Sequence, residues 1–589
     1  MLLFIAAFAC LGGFLFGYDL GLIAGALLYM DHDVRLHLTT SSSEIVVGMA
    51  KLGAVFGTFV GGALMVEFGR KKAIAGTGMF FLVGPLVMAV SSNAPGLSFG
   101  RFVVGLGIGA SAVCVPAYVG EMALPETRGA LVVTYELMLC LGMVTSALVD
   151  WLLRNVSQNW RWMVLAPAFP AMVMLLGVFV LPESPRWLVV QGRLSKALDV
   201  LHSLREGGVS DSPDTSTARV ERELMELWSA VEKERGEKMM GDDGGMENTG
   251  DHDAVDAEED TDTASASHTT TRVIRAAVPC DDPYAQTPRG GGVPRATGVL
   301  ATTTSFLKTL RSVLSESAQL FSKSHPEHKP VRVAAVLAFF NQASCSTSLV
   351  NYAPLLLRGA GMRSEADAVL FASLISVCKF TGVLLSMFTV DRAGRRPLLI
   401  WGSVWCAVSM FLLSAAVANA KATATLAAMC LFMLSFSASW AGVFWVLLSE
   451  MFTMRWKGSA MASATAILFA TGSLVDFVFL SAARAMGGGA FILVGLICVF
   501  AGVYAHLSVP ETKGKTLKEV QRGFEVRPGS GSGESGRSFG GFGFESFSRK
   551  FSASRNAYVA MTEISHAGEN AVDGEDGGGV GTTTTFETR

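Results

Sequence analysis

Seven stretches of this chain contain no Asp, Glu, Lys or Arg: residues 73–100, 102–120, 162–182, 333–357, 397–420, 422–449 and 485–510. Each is long enough to cross roughly 30 Å of hydrocarbon as a helix. Half of the 589 residues are hydrophobic, 16% are charged and the mean hydropathy is +0.43, which excludes a soluble protein of this size. The chain therefore reads as an all-α polytopic membrane protein.

Apolar segments predict twelve spans, at 2–29, 44–66, 73–91, 98–120, 130–152, 162–181, 331–357, 366–390, 397–417, 424–449, 458–482 and 487–509. An even number places both termini on one side. Basic clusters at Arg70-Lys71-Lys72, Arg128, Arg392-Arg395-Arg396, Arg455-Lys457 and Lys513-Lys515 fall on that side, which makes it cytoplasmic. The bias is modest, since Arg35, Arg154, Arg161, Arg358, Arg363, Lys421 and Arg484 lie opposite. The first apolar run, with no basic segment before it and no break at a cleavage point, reads as an uncleaved span. Eight of the nine cysteines fall within spans, so there is neither a disulfide framework nor a metal-ligand spacing.

Three motifs recur in order, each about 325–330 residues later, the signature of an internal repeat. Phe68-Gly69-Arg70-Lys71 returns as Ala393-Gly394-Arg395-Arg396, Gly120-Glu121-Met122 as Ser449-Glu450-Met451, and Pro182-Glu183-Ser184 as Pro510-Glu511-Thr512. The organisation expected is two pseudo-symmetric six-helix halves, residues 1–181 and 331–509, with parallel topology. Between them, residues 182–330 form a cytoplasmic linker with surface helices at 194–205 and 218–238 and an acidic disordered segment at 241–271. Residues 510–589 form a tail with Gly/Ser/Phe/Arg low complexity at 529–555. Arginines beside the acidic span ends Glu121 and Glu450 predict ionic contacts that tie the two halves together on the cytoplasmic side and break when that side opens.

Asp19 sits inside the first apolar run, where a carboxylate costs roughly 2.5–3.5 kcal/mol even on lenient insertion scales. Either it binds a proton in a transport cycle or it pairs with a buried cation to hold helices together. Lys51, Lys379 and Asp476 are further charges within spans, able to pair with Glu136, with one another or to face a water-filled cavity. No nucleophile–base pair, metal set or phosphate-binding loop is present, and Gly105-Leu106-Gly107-Ile108-Gly109 lies in a span where it permits close helix packing. The chain is not expected to be an enzyme.

These motifs, with Gly17-Tyr18-Asp19, Asp391-Arg392-Ala393-Gly394-Arg395-Arg396, Pro182-Glu183-Ser184-Pro185-Arg186-Trp187-Leu188 and Pro510-Glu511-Thr512-Lys513-Gly514, resemble the sugar porter family of the major facilitator superfamily. The resemblance covers residues 1 to about 205 and 331 to about 520, and it implies the major facilitator fold. It also implies that Asp19 titrates against Arg101 as the proton-coupling pair. Topology supports that pairing independently, because both residues fall in the outer halves of their spans. A cytoplasmic gating network of Gly69, Arg70, Glu121, Arg128, Asp391, Gly394, Arg395 and Glu450 follows from the same likeness.

Substrate contacts carried over from the family are Glu136, Asn341, Gln342, Thr347, Tyr352 and Trp445, with departures from its pattern at Asn341, Cys345, Thr347, Glu136 and Phe469. Amides and hydroxyls donate and accept to a polyhydroxylated ring, and an aromatic face packs on its C–H surface. The expected function is proton-coupled symport of a hexose or myo-inositol-like polyol by alternating access. The alternatives are a facilitative uniporter and a non-transporting nutrient sensor. No cofactor is expected beyond the proton as coupling ion. The partners implied are a small sugar or polyol and the lipid bilayer, with no nucleic acid and a monomeric state. Family analogy points to the plasma membrane.

Overall fold

The computed structural model describes residues 2–30, 33, 36, 38–123, 128–205, 213–242, 299–323, 325, 327–453, 456–515, 519–520 and 523–524. The acidic stretch from residue 243 and the low-complexity tail lie outside them. Among the described residues no strand occurs, and twelve helices are long and apolar enough to cross a membrane. They run Ile5–Met30, Thr40–Phe68, Arg70–Val90, Ala94–Met122, Thr134–Leu153, Asn159–Gly177, His328–Asn351, Asp367–Val390, Arg395–Ala418, Ala422–Met451, Lys457–Met486 and Gly488–Ser508. They are numbered here as spans one to twelve.

Several spans are discontinuous, for local reasons. Span six is split into Asn159–Leu165 and Ala168–Gly177 at Pro167, which has no N–H to continue the helical ladder. Span seven, expected as one helix, is broken after Ala343: Cys345 takes a left-handed conformation (φ 59°) and the chain resumes as Ser346–Asn351. A π turn at Ser437–Ala441 interrupts span ten, an irregularity that tends to mark functional positions. The breaks in spans seven and ten flank the same central cavity.

Buried apolar residues form one continuous cluster from Ile5 to Val509, drawn from both six-span sets. Large apolar side chains such as Phe99, Phe169, Phe179, Trp401 and Phe500 point outward, as a lipid-facing surface requires. Spans two and four approach closely because a Cβ at Gly105 or Gly109 would run into the carbonyls of Ala50 or Ala54. That is the packing role expected for the glycine run.

On the face that carries the basic loops, helices Leu194–Arg205 and Pro213–Asp242 stand where amphipathic spacing placed them. A further helix, Val299–Gln319, was not anticipated. Its Phe306 stacks on Phe68 of span two, with ring centroids 6.3 Å apart. Ser305 and Thr309 donate to Glu67 at 2.6 and 2.8 Å, while Glu316 accepts from Ser459 of span eleven at 3.1 Å. This one helix therefore touches both halves.

Candidate functional site

Span one packs along span five through glycines: a Cβ at Gly17 would strike the Leu139 carbonyl, and one at Gly25 the Asp150 carboxylate. That close approach buries Asp19 beside span four. Arg101 Nη1 donates to Asp19 Oδ1, both side chains being almost wholly buried, and Arg101 Nε donates to the Val46 carbonyl of span two at 3.3 Å. Asp19 Oδ2 has no hydrogen-bond partner among the described residues. A single charge-assisted contact thus holds the carboxylate, leaving one oxygen able to take a proton.

A cavity lies between the halves, lined by residues of spans one, two, five, seven, eight, ten and eleven. Glu136, Asn341, Gln342, Thr347 and Trp445 all line it, so five of the six residues proposed as substrate contacts meet at one place. Tyr352 does not join them. It is fully buried, its hydroxyl donates to the Asp476 carbonyl at 3.2 Å, and its ring stacks on Phe479 at 5.5 Å. Ser346, Thr347 and Val350 of the segment after the first break still line the cavity, whereas Tyr352 stands at the next interruption, between Ser346–Asn351 and Ala353–Gly359. Phe469 occupies the wall opposite, edge-on to Phe16 at 6.0 Å.

The polar groups of the cavity are chained. Gln342 Nε2 donates to Asn341 Oδ1 at 3.2 Å, Thr347 Oγ1 donates to Gln342 Oε1 at 3.0 Å, and Lys51 Nζ donates to Thr347 Oγ1 at 2.5 Å. Lys51 Nζ also lies 2.8 Å from Asp476 Oδ2, pairing span two with span eleven. Lys379 of span eight lines the cavity together with Glu136 of span five, so opposite charges share it. The three intramembrane charges left unassigned by the sequence are thus placed: Lys51 pairs with Asp476, and Lys379 shares the cavity with Glu136. Asp150 is a buried carboxylate that sequence reading passed over because it stands near the end of span five.

On the basic-loop face the structure corrects one expectation. Arg70 forks onto Glu121, with Nε to Oε2 at 2.9 Å and Nη2 to Oε1 at 2.7 Å, and Arg395 Nη2 meets Glu450 Oε1 at 2.7 Å. Both pairs lie within a half and do not bridge the two halves, because each arginine opens a span that packs on, or beside, the partner span of its own repeat. On this face, among the described residues, the helix Val299–Gln319 touches both halves instead. The side chains of Arg128 and Asp391 lie outside the described residues.

Two residues that the motifs contained but whose work was not foreseen are Glu183 and Glu511. Glu183 Oε1 accepts from the backbone N–H groups of Arg70 and Lys71 at 2.9 and 3.1 Å. Glu511 does the same for Arg395 and Arg396 at 3.0 and 3.1 Å. A carboxylate at a helix N-terminus satisfies orphan donors and complements the helix dipole. Gly69 (φ 93°) and Gly394 (φ 88°) are required at these joints by their left-handed backbone, and an added Cβ would also crowd Glu183 or Glu511.

The family model described as "Sugar (and other) transporter" matches residues 5–242 and 297–524. Among curated proteins the chain is 30% identical to the probable metabolite transport protein CsbC of Bacillus subtilis, over 88% of this chain and 94% of the relative. It is 26% identical to the glucose transporter GlcP of Staphylococcus epidermidis, covering 88% and 96%, and 26% identical to polyol transporter 5 of Arabidopsis thaliana, covering 88% and 86%. Among solved structures, the inward-open xylose transporter XylE from E. coli aligns with a TM-score of 0.62 at 22% identity, over 89% of this chain and 99% of that one. XylE, described as a proton:xylose symporter, bound to 6-bromo-6-deoxy-D-glucose aligns equally well, with a TM-score of 0.62 at 23% identity, covering 88% and 98%. These structures share the twelve-span fold of the major facilitator superfamily.

Proposed function

This chain belongs to the sugar (and other) transporter family, and from that premise we propose that it imports a sugar or cyclic polyol together with a proton by alternating access. Its relatives are transporters, and it is an integral multi-pass membrane protein rather than an enzyme. The observation that carries the proton-coupled reading is the Asp19–Arg101 pair, with one carboxylate oxygen left over in an otherwise buried setting. A proton taken up by Asp19 cancels its charge and loosens its hold on Arg101. The bundle then favours the arrangement in which that contact is not needed. No further cofactor enters this cycle.

Substrate recognition falls to the amides of Asn341 and Gln342, the hydroxyl of Thr347, the carboxylate of Glu136 and the aromatic face of Trp445. The likeness of polyol transporter 5 and of GlcP supports a polyhydroxylated ring. The basic-loop face is cytoplasmic in this reading, the membrane is the plasma membrane, and the inner network of Gly69, Arg70, Glu121, Gly394, Arg395 and Glu450 holds the ends of the spans as the halves rock.

Proteoliposomes under an inward pH gradient, offered myo-inositol, several hexoses and pentoses, test the proposal. Accumulation that Asp19→Asn abolishes is the expected result. Uptake indifferent to the gradient and to a protonophore would instead make the protein a facilitative uniporter, and ligand binding without flux would make it a sensor.

A further inference from the structure

Lys51 and Asp476 form an ion pair of a different kind from Asp19–Arg101, because its members come from opposite halves. With the basic-loop face cytoplasmic, both lie in the outer halves of spans two and eleven. Lys51 Nζ donates to Thr347 Oγ1 at 2.5 Å and to the Gly472 carbonyl at 3.4 Å, and it lies 2.8 Å from Asp476 Oδ2 as an ion pair. Asp476 in turn accepts from Ser348 of span seven.

The same seam closes further out. Ser473 Oγ donates to the Gly48 carbonyl at 3.0 Å, and Glu44 accepts from the N–H and hydroxyl of Ser481 at 2.6 and 2.7 Å.

A buried ion pair stabilises a permanent interface poorly, since apolar residues of the same volume would serve as well or better. It suits an interface that must open. Separation admits water, each ion regains its hydration, and the attraction lost falls to the small value it has in high dielectric. Removing one partner is a different matter, because it leaves an uncompensated charge whenever the seam is shut.

We infer that the Lys51–Asp476 pair is the latch that closes the outer side of the transporter, and that Thr347 connects this latch to the substrate cavity. Thr347 stands at the junction. Its hydroxyl accepts from Lys51 and donates to Gln342, so a ligand hydroxyl that engages Gln342 changes how firmly Thr347 holds Lys51. Lys51 is thus a positioning residue that acts through Thr347. The link to substrate, though not the latch itself, rests on the sugar-binding reading of the cavity.

Hydrogen exchange of the full-length protein in lipid nanodiscs reads the latch without any substrate. In Lys51→Met, the backbone amides of residues 40–50 and 473–486 should exchange about ten-fold faster than in the wild type, while the buried amides of span four do not change. The reversed pair, Lys51→Asp with Asp476→Lys, should restore protection. Unchanged exchange in a Lys51→Met protein that keeps its span-four protection would overturn the latch.

Adding the transported sugar at a concentration that saturates each protein should slow exchange on the seam of the wild type, and Thr347→Ala with sugar bound should lose that response. A response that survives Thr347→Ala would remove Thr347 from the connection. If no sugar is carried at all, the functional proposal fails, yet the ligand-free exchange still decides the latch.

Discussion

The basic-loop face and the middle of the bundle treat the internal repeat in opposite ways. On the face the joint between spans is present twice: Arg70–Glu121 and Arg395–Glu450 at 2.7 Å, Ser184 and Thr512 donating to those acids at 2.5 and 2.6 Å, and Glu183 and Glu511 capping the next span. In the middle each charged relationship is single. Asp19–Arg101 belongs to the first half, Lys51–Asp476 joins the halves, and Glu136 and Lys379 line one cavity. Both halves have the same mechanical task at their ends, anchoring a sharp turn and two span termini, so the same residues serve each. One cavity between the halves needs no second copy, and around it the repeat has been free to diverge.

The Asp19–Arg101 pair should be the least tolerant of change. Arg101→Leu strands the Asp19 charge, an effect of about 3–5 kcal/mol. Gradient-driven uptake should fall by more than about a hundred-fold, a drop that corresponds to roughly 2.7 kcal/mol; near-normal accumulation would break the comparison by making the single-copy pair dispensable. The cross-half pair comes next. Lys51→Met and Asp476→Leu should each destabilise by about 3 kcal/mol, and the double variant by less than either alone. Thermal unfolding in nanodiscs checks this, and additive losses would deny that the two charges act on each other.

The duplicated caps offer the sharpest internal control. Glu183→Gln and Glu511→Gln should cost about 1–2 kcal/mol each and should agree within about 0.5 kcal/mol. A large disparity in thermal unfolding would mean that the two copies no longer do the same job. Smallest of all, Ser305→Ala combined with Thr309→Val removes two hydrogen bonds to Glu67 and should lower stability by about 0.5–1 kcal/mol. A larger effect would give the bridging helix Val299–Gln319 more weight than its contacts imply.

Much of this architecture is legible in the chain. Twelve apolar runs appear as twelve helices, and the repeated loop motifs occupy equivalent turns. Five of six expected substrate contacts meet at the cavity. Tyr352 departs from the set because it stands at a second interruption of span seven, between Ser346–Asn351 and Ala353–Gly359, where its ring packs on Phe479, and no residue type announces that interruption. The Arg70 and Arg395 pairs close within their halves because the nearest acid in space is on a span of the same repeat, whereas a motif lists residues without saying which neighbour each will find. The helix Val299–Gln319 had a readable apolar spacing in Phe306, Leu310 and Val313 but was obscured by the polar linker around it.

Lipid allows few solutions to a backbone with unmet hydrogen bonds, and a helix meets them within four residues of chain. Span number, helical state, orientation signals and the repeat therefore follow from local composition and order alone. Which buried charge meets which is not local: Lys51 and Asp476 are 425 positions apart, and Thr347 and Ser348 complete their surroundings from a third place in the chain. Desolvation makes each such charge costly until a partner arrives, and only the packing of the two halves brings the partners within reach.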